Sequence, residues 1–386
     1  MSADGRFVAY SSASSLLVPN DTNDCQDIFV YDRDTEFVER VSVDSAGNQA
    51  GWHCFQPAIS ADGRVVAFRS VAGNLVPNDF NAFDDVFTHD RVTGVTKRVS
   101  VTSTGAEAHA GCWQIGCYFG SPIDISDDGS VVAFNSFLHD LVPNDTNGTP
   151  DVFVHDSNLG TTTLVSALSG VQGNWWSFEA QLSGDGNLVA FTSTSSNLYP
   201  GDLGAYADVF LHNRRTGATT AIDIDLAGQL ASLGAVGCGL SRNGRYFAYL
   251  SDSPNLVAGD TNGTRDLFVH DLMTGTTRRA TTGIGGQQVV AMSGGEFFDV
   301  GNDGSVIFTA RQDGFVVGDT AIGSVIDDDA LLNVPSLPSN ALLGYCTPKT
   351  NSLNCVPRIS VCGLPSASGE MLFSIIAVKV RSHEPG

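Results

Sequence analysis

An all-β fold built from one repeated unit is predicted by three observations. The turn residues Asp4, Asp62, Asp128, Asp185, Asn243 and Asp303 recur every 57 to 66 positions along the 386-residue chain. Each stands before a Gly, in a turn that favours a tight hairpin because Gly tolerates positive φ. No 3.6-residue apolar periodicity competes with the short β-branched and aromatic runs between the turns. Self-similarity at this period is the mark of a repeat architecture.

The elements follow in order from the second copy, "QPAISADGRVVAFRSVAGNLVPNDFNAFDDVFTHDRVTGVTKRVSV". "PAIS" reads as a first strand and "RVVAFRS" as a second, apolar on both faces. A long polar loop leads to a third strand, "DVFTHD", and a D-x-x-T-G turn to a fourth, "TKRVSV". From each of the first five turn residues to the Asp opening the third strand (Asp27, Asp85, Asp151, Asp208, Asp266) is always 23 residues, so length varies only after the fourth strand. Strands apolar on both faces must be sandwiched between other sheets, as in radially packed blades. The expectation is a β-propeller of six four-stranded blades over residues 1–335, first and last incomplete, with an irregular Cys-containing tail at 336–386.

"SADGRFVAYSS", "SADGRVVAFRS", "SDDGSVVAFNS", "SGDGNLVAFTS" and "SRNGRYFAYLS", each followed by a D-[VIL]-F strand, resemble the WD40-like PD40 repeats of TolB-type propellers. The resemblance implies a six-bladed propeller acting in protein interactions. It does not name a function, because one superfold hosts many. From Tyr345 the tail resembles the start of short Cys-containing C-terminal modules of large secreted bacterial proteins, and it departs from them after Ser368. Met1 stands where the first blade's inner strand should end, so either the C-terminal part closes the ring or the chain is a fragment.

Acids outnumber bases 42 to 20, a net charge of −22. That excludes nucleic acid and anionic membrane surfaces as partners, because like charges repel on approach. No apolar run reaches the ~18 residues of a membrane span. "MSADGRFVAY" already belongs to the repeat rather than to a leader. Eight cysteines with few lysines point to an extracellular or periplasmic setting, and a monomer is expected. The expected disulfides are Cys112–Cys117, Cys346–Cys355 and Cys25–Cys54, with zinc the rival reading for "CWQIGC".

Two kinds of residue are candidates for function. In an up-and-down blade the second-to-third and fourth-to-first connections share one face. All four tryptophans fall there: Trp52, Trp113, Trp175 and Trp176, accompanied by Phe55, Tyr118, Phe119 and Phe178. Aromatics on loops, away from the two-residue period of a strand, suggest a patch that recognises a protein or glycan, or else lids on the blade edges. The second set is the loop "DTNGTPD", where Asp145, Asn147 and Asp151 surround Gly148, copied as Asp260, Asn262 and Asp266. Hard oxygen ligands in a tight loop suit calcium as the one candidate cofactor, and the same residues suit a side-chain-to-backbone turn. His89, His155, His212 and His270 recur one per blade and read as packing residues. Catalysis is the lesser reading, since no G-x-S-x-G elbow is present and the acids sit at turn positions. A carbohydrate-active propeller enzyme and a purely structural module of a larger surface protein remain alternatives to the binding module.

Overall fold

The computed structural model describes residues 1–81, 83–109, 122–204, 206–282, 288 and 298–308. They form successive antiparallel sheets whose strands follow one another in chain order. Sheet 1 has three strands (Phe7–Ser12, Asp27–Asp32, Phe37–Arg40). Four-stranded sheets follow: sheet 2 (Cys54–Ile59, Val65–Ser70, Asp85–Asp90, Val95–Arg98), sheet 3 (Asp124–Ile125, Val131–Ser136, Asp151–Asp156, Thr161–Leu164), sheet 4 (Ser177–Leu182, Leu188–Ser193, Asp208–Asn213, Ala218–Ala221) and sheet 5 (Val236–Leu240, Tyr246–Ser251, Asp266–Asp271, Thr276–Arg279). Phe298–Val300 and Val306–Phe308 are the described strands of sheet 6. The tail expected at 336–386 lies outside the described residues.

In sheets 2 to 5 the second and third strands are buried on both faces, which explains their unbroken apolar runs, whereas Phe7–Ser12 of sheet 1 is half-buried throughout. Their register pairs an aromatic on each: Tyr10 with Phe29, Phe68 with Phe87, Phe134 with Phe153, Phe191 with Phe210 and Tyr249 with Phe268, stacked at centroid distances of 5.5–6.0 Å. Face-to-face packing then yields a separate apolar core between each sheet and the next, from sheets 1 and 2 to sheets 5 and 6. Sheets stacked in chain order with a core at each interface are the blades of a β-propeller.

The S-x-D-G turns are local and inter-sheet devices at once. Ser60 Oγ donates to Asp62 Oδ1 at 2.6 Å, and that carboxylate accepts the Arg64 N–H at 2.9 Å. Gly63 has φ +73, and a Cβ there would lie 2.1 Å from the Phe7 ring of the preceding sheet, so no other residue fits. The residue after each Ser is joined to its counterpart in the next sheet: Ala3 N–H to Ala61 O, Ala61 to Asp127, Asp127 to Gly184 and Gly184 to Arg242, at 2.6–3.0 Å. This belt of backbone bonds runs around the inner end of the sheets.

The four histidines behave alike. His89, His155 and His212 are buried, each ring bonding a Thr hydroxyl on the neighbouring strand at 2.9–3.0 Å. Thr96 and Thr219 pass the contact on to a carbonyl of the preceding sheet at 2.5 Å. His270 bonds Thr277 in the same way. They fasten sheet to sheet.

Candidate functional site: the loop face

The two families of connections share a face because they bond to each other. Asn23 Nδ2 reaches Ala50 O at 2.9 Å, Asn81 reaches Ala108 O at 3.0 Å and Asn147 reaches Gly173 O at 2.8 Å. Gly51 N–H, in turn, donates to Asn74 Oδ1 at 2.7 Å.

Within each loop the Asp–Asn–Asp set is organised around hydrogen bonds. Asn147 Oδ1 accepts the Thr149 N–H at 2.8 Å while its Nδ2 donates to Asp151 Oδ2 at 2.9 Å. Asn262 does the same with Thr264 and Asp266 at 3.2 and 3.0 Å. The amide nitrogen, not the oxygen, therefore faces the carboxylate. The other oxygen of Asp151 accepts the Ser166 hydroxyl at 2.6 Å. Between the two acids stands a donor from the protein itself. Gln172 Nε2 donates to Asp145 at 2.6 Å and Asp151 at 2.8 Å, and the Arg279 guanidinium lies 3.1 Å from Asp260 and 3.7 Å from Asp266. Arg40 plays that part in sheet 1 and Arg98 in sheet 2. This donor set does not fit calcium, which takes oxygens only. Of the two readings, calcium and a side-chain-to-backbone turn, the sets Asp145, Asn147, Asp151 and Asp260, Asn262, Asp266 take the hydrogen-bond pattern of the turn in this structure.

The tightest acidic group among the described residues is Asp79, Asp85 and Glu107. Arg98 sits within it, 3.2, 3.4 and 2.7 Å from the three. Burial pushes Asp79 up to about 6 and Asp85 up to about 7.

Of the predicted aromatic patch, Trp52 and Trp175 are 55% and 56% exposed, and Trp176 is exposed while meeting Phe137 edge-on at 6.3 Å. Trp52 and Trp175 stand two residues before the inner strand, at a repeat position that Leu233 fills three residues ahead of the inner strand of sheet 5, at 43% exposure. The backbone there is pinned, Trp175 N–H to Ser195 Oγ at 2.9 Å and Leu233 N–H to Ser253 Oγ at 2.8 Å. Held backbone and exposed rings suit recognition. Phe55 and Phe178 are corrections: both lie inside the inner strands, half-buried, rather than on the loops. Those strands begin earlier than "PAIS" and carry a bulge at Gln56 and Glu179, whose φ values are 52 and 59. Trp113, Tyr118 and Phe119 lie outside the described residues, as do Cys112, Cys117, Cys346 and Cys355.

Cys25 and Cys54 are buried free thiols, so the expected bridge between them is not formed. Cys54 Sγ bonds Ser70 Oγ at 3.3 Å, and burial pushes its thiol up to about 12.

Sequence reasoning missed a cleft of about 320 Å³ on this face, walled by Tyr206, Leu233 and Val236 and edged by Asp252 and Arg265. Arg265 Nη2 donates to Asp252 Oδ2 at 2.8 Å, setting a donor and an acceptor side by side, both partly exposed. The signal available was the repeat register that aligns Leu233 with Trp52 and Trp175. At the opposite end, near the inner strands, Arg242 reaches back across sheet 4 to Asp124 at 3.3 Å and Asp127 at 2.7 Å. Asp124 also accepts the Leu182 N–H at 2.8 Å, which ties sheet 3 to sheet 4. Burial raises both Asp124 and the neighbouring Asp299.

No family model and no curated protein matches the chain. Among solved structures it is similar to TolB from Acinetobacter baumannii, with 15% identity, a TM-score of 0.41 and coverage of 74% of this chain and 55% of that one. It is similar also to an oligogalacturonate lyase in complex with manganese (15% identity, TM-score 0.44, 78% of this chain and 69% of that one). A third is the β-propeller domain of the Trilobed protease from Pyrococcus furiosus (11% identity, TM-score 0.45, 81% of this chain and 76% of that one). The chain thus spans about 55% of the length of the Acinetobacter TolB.

Proposed function

We propose that this propeller is a non-catalytic recognition module of a secreted or envelope-associated bacterial protein, and that its loop face binds a neutral glycan. The observation that carries the reading is the placing of half-exposed Trp52 and Trp175 at one repeat position, with the Trp175 N–H held by Ser195 and the Gly51 N–H beside Trp52 held by Asn74. Separate rings set among polar loop groups match the alternation of apolar C–H faces and hydroxyls on a sugar chain. A protein partner favours one continuous apolar patch. In the cleft, Tyr206 offers a stacking face, and the Arg265–Asp252 pair offers the donor and acceptor that neighbouring hydroxyls need. A charged ligand would have to break that pair, and the net charge of −22 disfavours acidic polysaccharides.

The test is Trp52→Ala with Trp175→Ala, assayed on a panel of immobilised neutral glycans. Retention of the wild type should be lost in the double variant while the melting temperature moves by no more than about 2 °C, the scale of a surface change. Retention unaffected by the double substitution overturns the reading, and so does a wild type that binds nothing on the panel.

A second reading, a carbohydrate-active centre at the inner end, has Asp124, Asp299 and Arg242 in its favour. Asp124 is already committed to Arg242 and to the Leu182 N–H, which is why binding stands first.

A further inference from the structure

Four of the five third strands that open with Asp receive a hydroxyl donor from the segment two residues beyond the fourth strand. Ser42 serves Asp27 and Ser166 serves Asp151, at 2.5 and 2.6 Å, Ser100 serves Asp85 at 2.5 Å, and Thr281 serves Asp266. Sheet 4 breaks the pattern: the same position holds Asp223, with no exposed surface, against Asp208 at 4% exposure. Asp223 Oδ1 accepts the Val209 N–H at 3.4 Å, and Oδ2 is buried with no donor. Two buried carboxylates cannot both stay ionised in contact, so the missing donor is a proton.

We propose that Asp208 and Asp223 share one bound proton, which does in sheet 4 what a hydroxyl does elsewhere, and that its release as pH rises loosens the sheet 4 wall of the loop-face cleft. Among the described residues no cation takes its place. Asp202 acts on Asp208, and the pair acts in turn on Tyr249 and Cys238 of sheet 5, none of them positive. The position of Arg40, Arg98 and Arg279 is Ala221 here, opposite Phe210 as those arginines are opposite Phe29, Phe87 and Phe268. Burial raises both carboxyls. The charge of Asp208 raises Asp223 further.

The pair is wired to the cleft. Asp208 follows Tyr206 and Ala207, two of the wall residues, and Ala207 O accepts the Ala235 N–H of the facing wall at 2.7 Å. A carboxyl whose folded pKa is raised stabilises the fold at low pH, and that contribution is lost as pH rises through the folded value. When the proton leaves, two anions are confined at the start of the third strand and the end of the fourth.

Amide hydrogen exchange by mass spectrometry, between pH 5.5 and 8.5 and corrected for intrinsic rates, tests this on the full chain. Peptides spanning residues 207–224 report the Ile222 N–H, bonded to Val209 O at 2.9 Å. In the wild type their protection should fall by up to about tenfold per pH unit while the folded sheet keeps a proton that the opened sheet has lost, and level off once the folded sheet releases it. Asp223→Ser, which restores the hydroxyl, and Asp223→Asn, a near-isosteric donor that cannot titrate, should both remove that fall. A wild type as flat as the variants overturns the proposal, as does a fall retained in the Asn variant. The readout needs no ligand, so it is independent of the glycan reading.

Discussion

The loops of sheets 2 and 4 descend from one repeat and solve the same electrostatic problem in opposite ways. Both keep an Asp in the loop and an Asp opening the third strand: Asp79 and Asp85, Asp202 and Asp208. Sheet 2 surrounds its pair with Arg98, the Asn81 amide and the Ser100 hydroxyl. Sheet 4 has Ala221, Gly204 and Asp223 at those positions, and Leu230 where sheet 2 has Glu107. Two carboxylates persist there without the Arg that stands between them in sheets 1, 2 and 5 or the Gln that does so in sheet 3. The difference teaches that the Asp pair is kept by the repeat's backbone needs, since Asp202 Oδ1 still accepts the Gly204 N–H at 2.7 Å, and that its charge is compensated separately.

The sharpest way to break this comparison is one isosteric change made in both sheets. Asp85→Asn removes a buried charge paired with Arg98 and turns a donor toward the donors already there. It should cost about 3 kcal/mol in urea unfolding at pH 8. Asp208→Asn supplies Asp223 with the donor it lacks and relieves a like-charge contact, so it should stabilise by up to about 1 kcal/mol. Opposite signs at equivalent positions are the expected outcome. Equal losses would show that both acids are held by their neighbours alike.

How far this contrast was legible beforehand follows from where each signal lies in the chain. The four-strand unit was readable because its turn residues, its third-strand Asp and its doubly apolar second strand are all local patterns. The cation between the acids was not, because Arg98 comes from the fourth strand and pairs with Asp79 only across the folded sheet. The oxygen-rich spelling of Asp145, Asn147 and Asp151 could not disclose which atom of the amide faces inward, and that atom separates a turn from a metal site. Phe55 and Phe178 were misplaced for a further reason: the bulges at Gln56 and Glu179 interrupt the alternation by which a strand is recognised. The belt of backbone bonds through Ala61, Asp127 and Gly184 leaves no side-chain signature.

A second prediction uses pH to separate the two ends of the sheets. On the turn side, Asp32, Asp90 and Asp271 are held well below the ordinary carboxylate range, first by hydrogen bonds from Arg6, Arg64 and Arg245. Their contribution is present above the unfolded pKa and lost as pH falls into strong acid. On the loop side, burial raises Asp79 to about 6, Asp85 to about 7 and Asp151 to about 6, so their contribution is lost as pH rises through 6 to 7. The opposed signs place maximum stability near about pH 5, with a fall of about 2 kcal/mol by pH 8, the scale of one to two protons. Melting temperatures across pH 3–9 check it. An optimum above pH 7 would mean that the loop-side acids are solvated rather than buried.

The smallest effect expected comes from giving sheet 4 back one lost donor. Leu230 bridges Ile224 as Gln49 bridges Val43 and Glu107 bridges Val101, while Gln172 pairs with Ala167. In sheet 3 that Gln places its amide between Asp145 and Asp151 at 2.6 and 2.8 Å. Leu230→Gln should set the same amide between Asp202 and Asp208, where Asp202 Oδ2 is buried without a partner. Against this gain stands the loss of a half-buried Leu, costing part of the ~1.5–3 kcal/mol of a full burial. A net stabilisation of no more than about 1 kcal/mol remains, growing with pH because the amide is needed most once Asp208 is ionised. Melting curves at pH 6 and pH 8 read that growth directly. A gain that is equal at both values, or larger at pH 6, would mean that the introduced amide packs elsewhere and that sheet 4 does not reserve the donor's place.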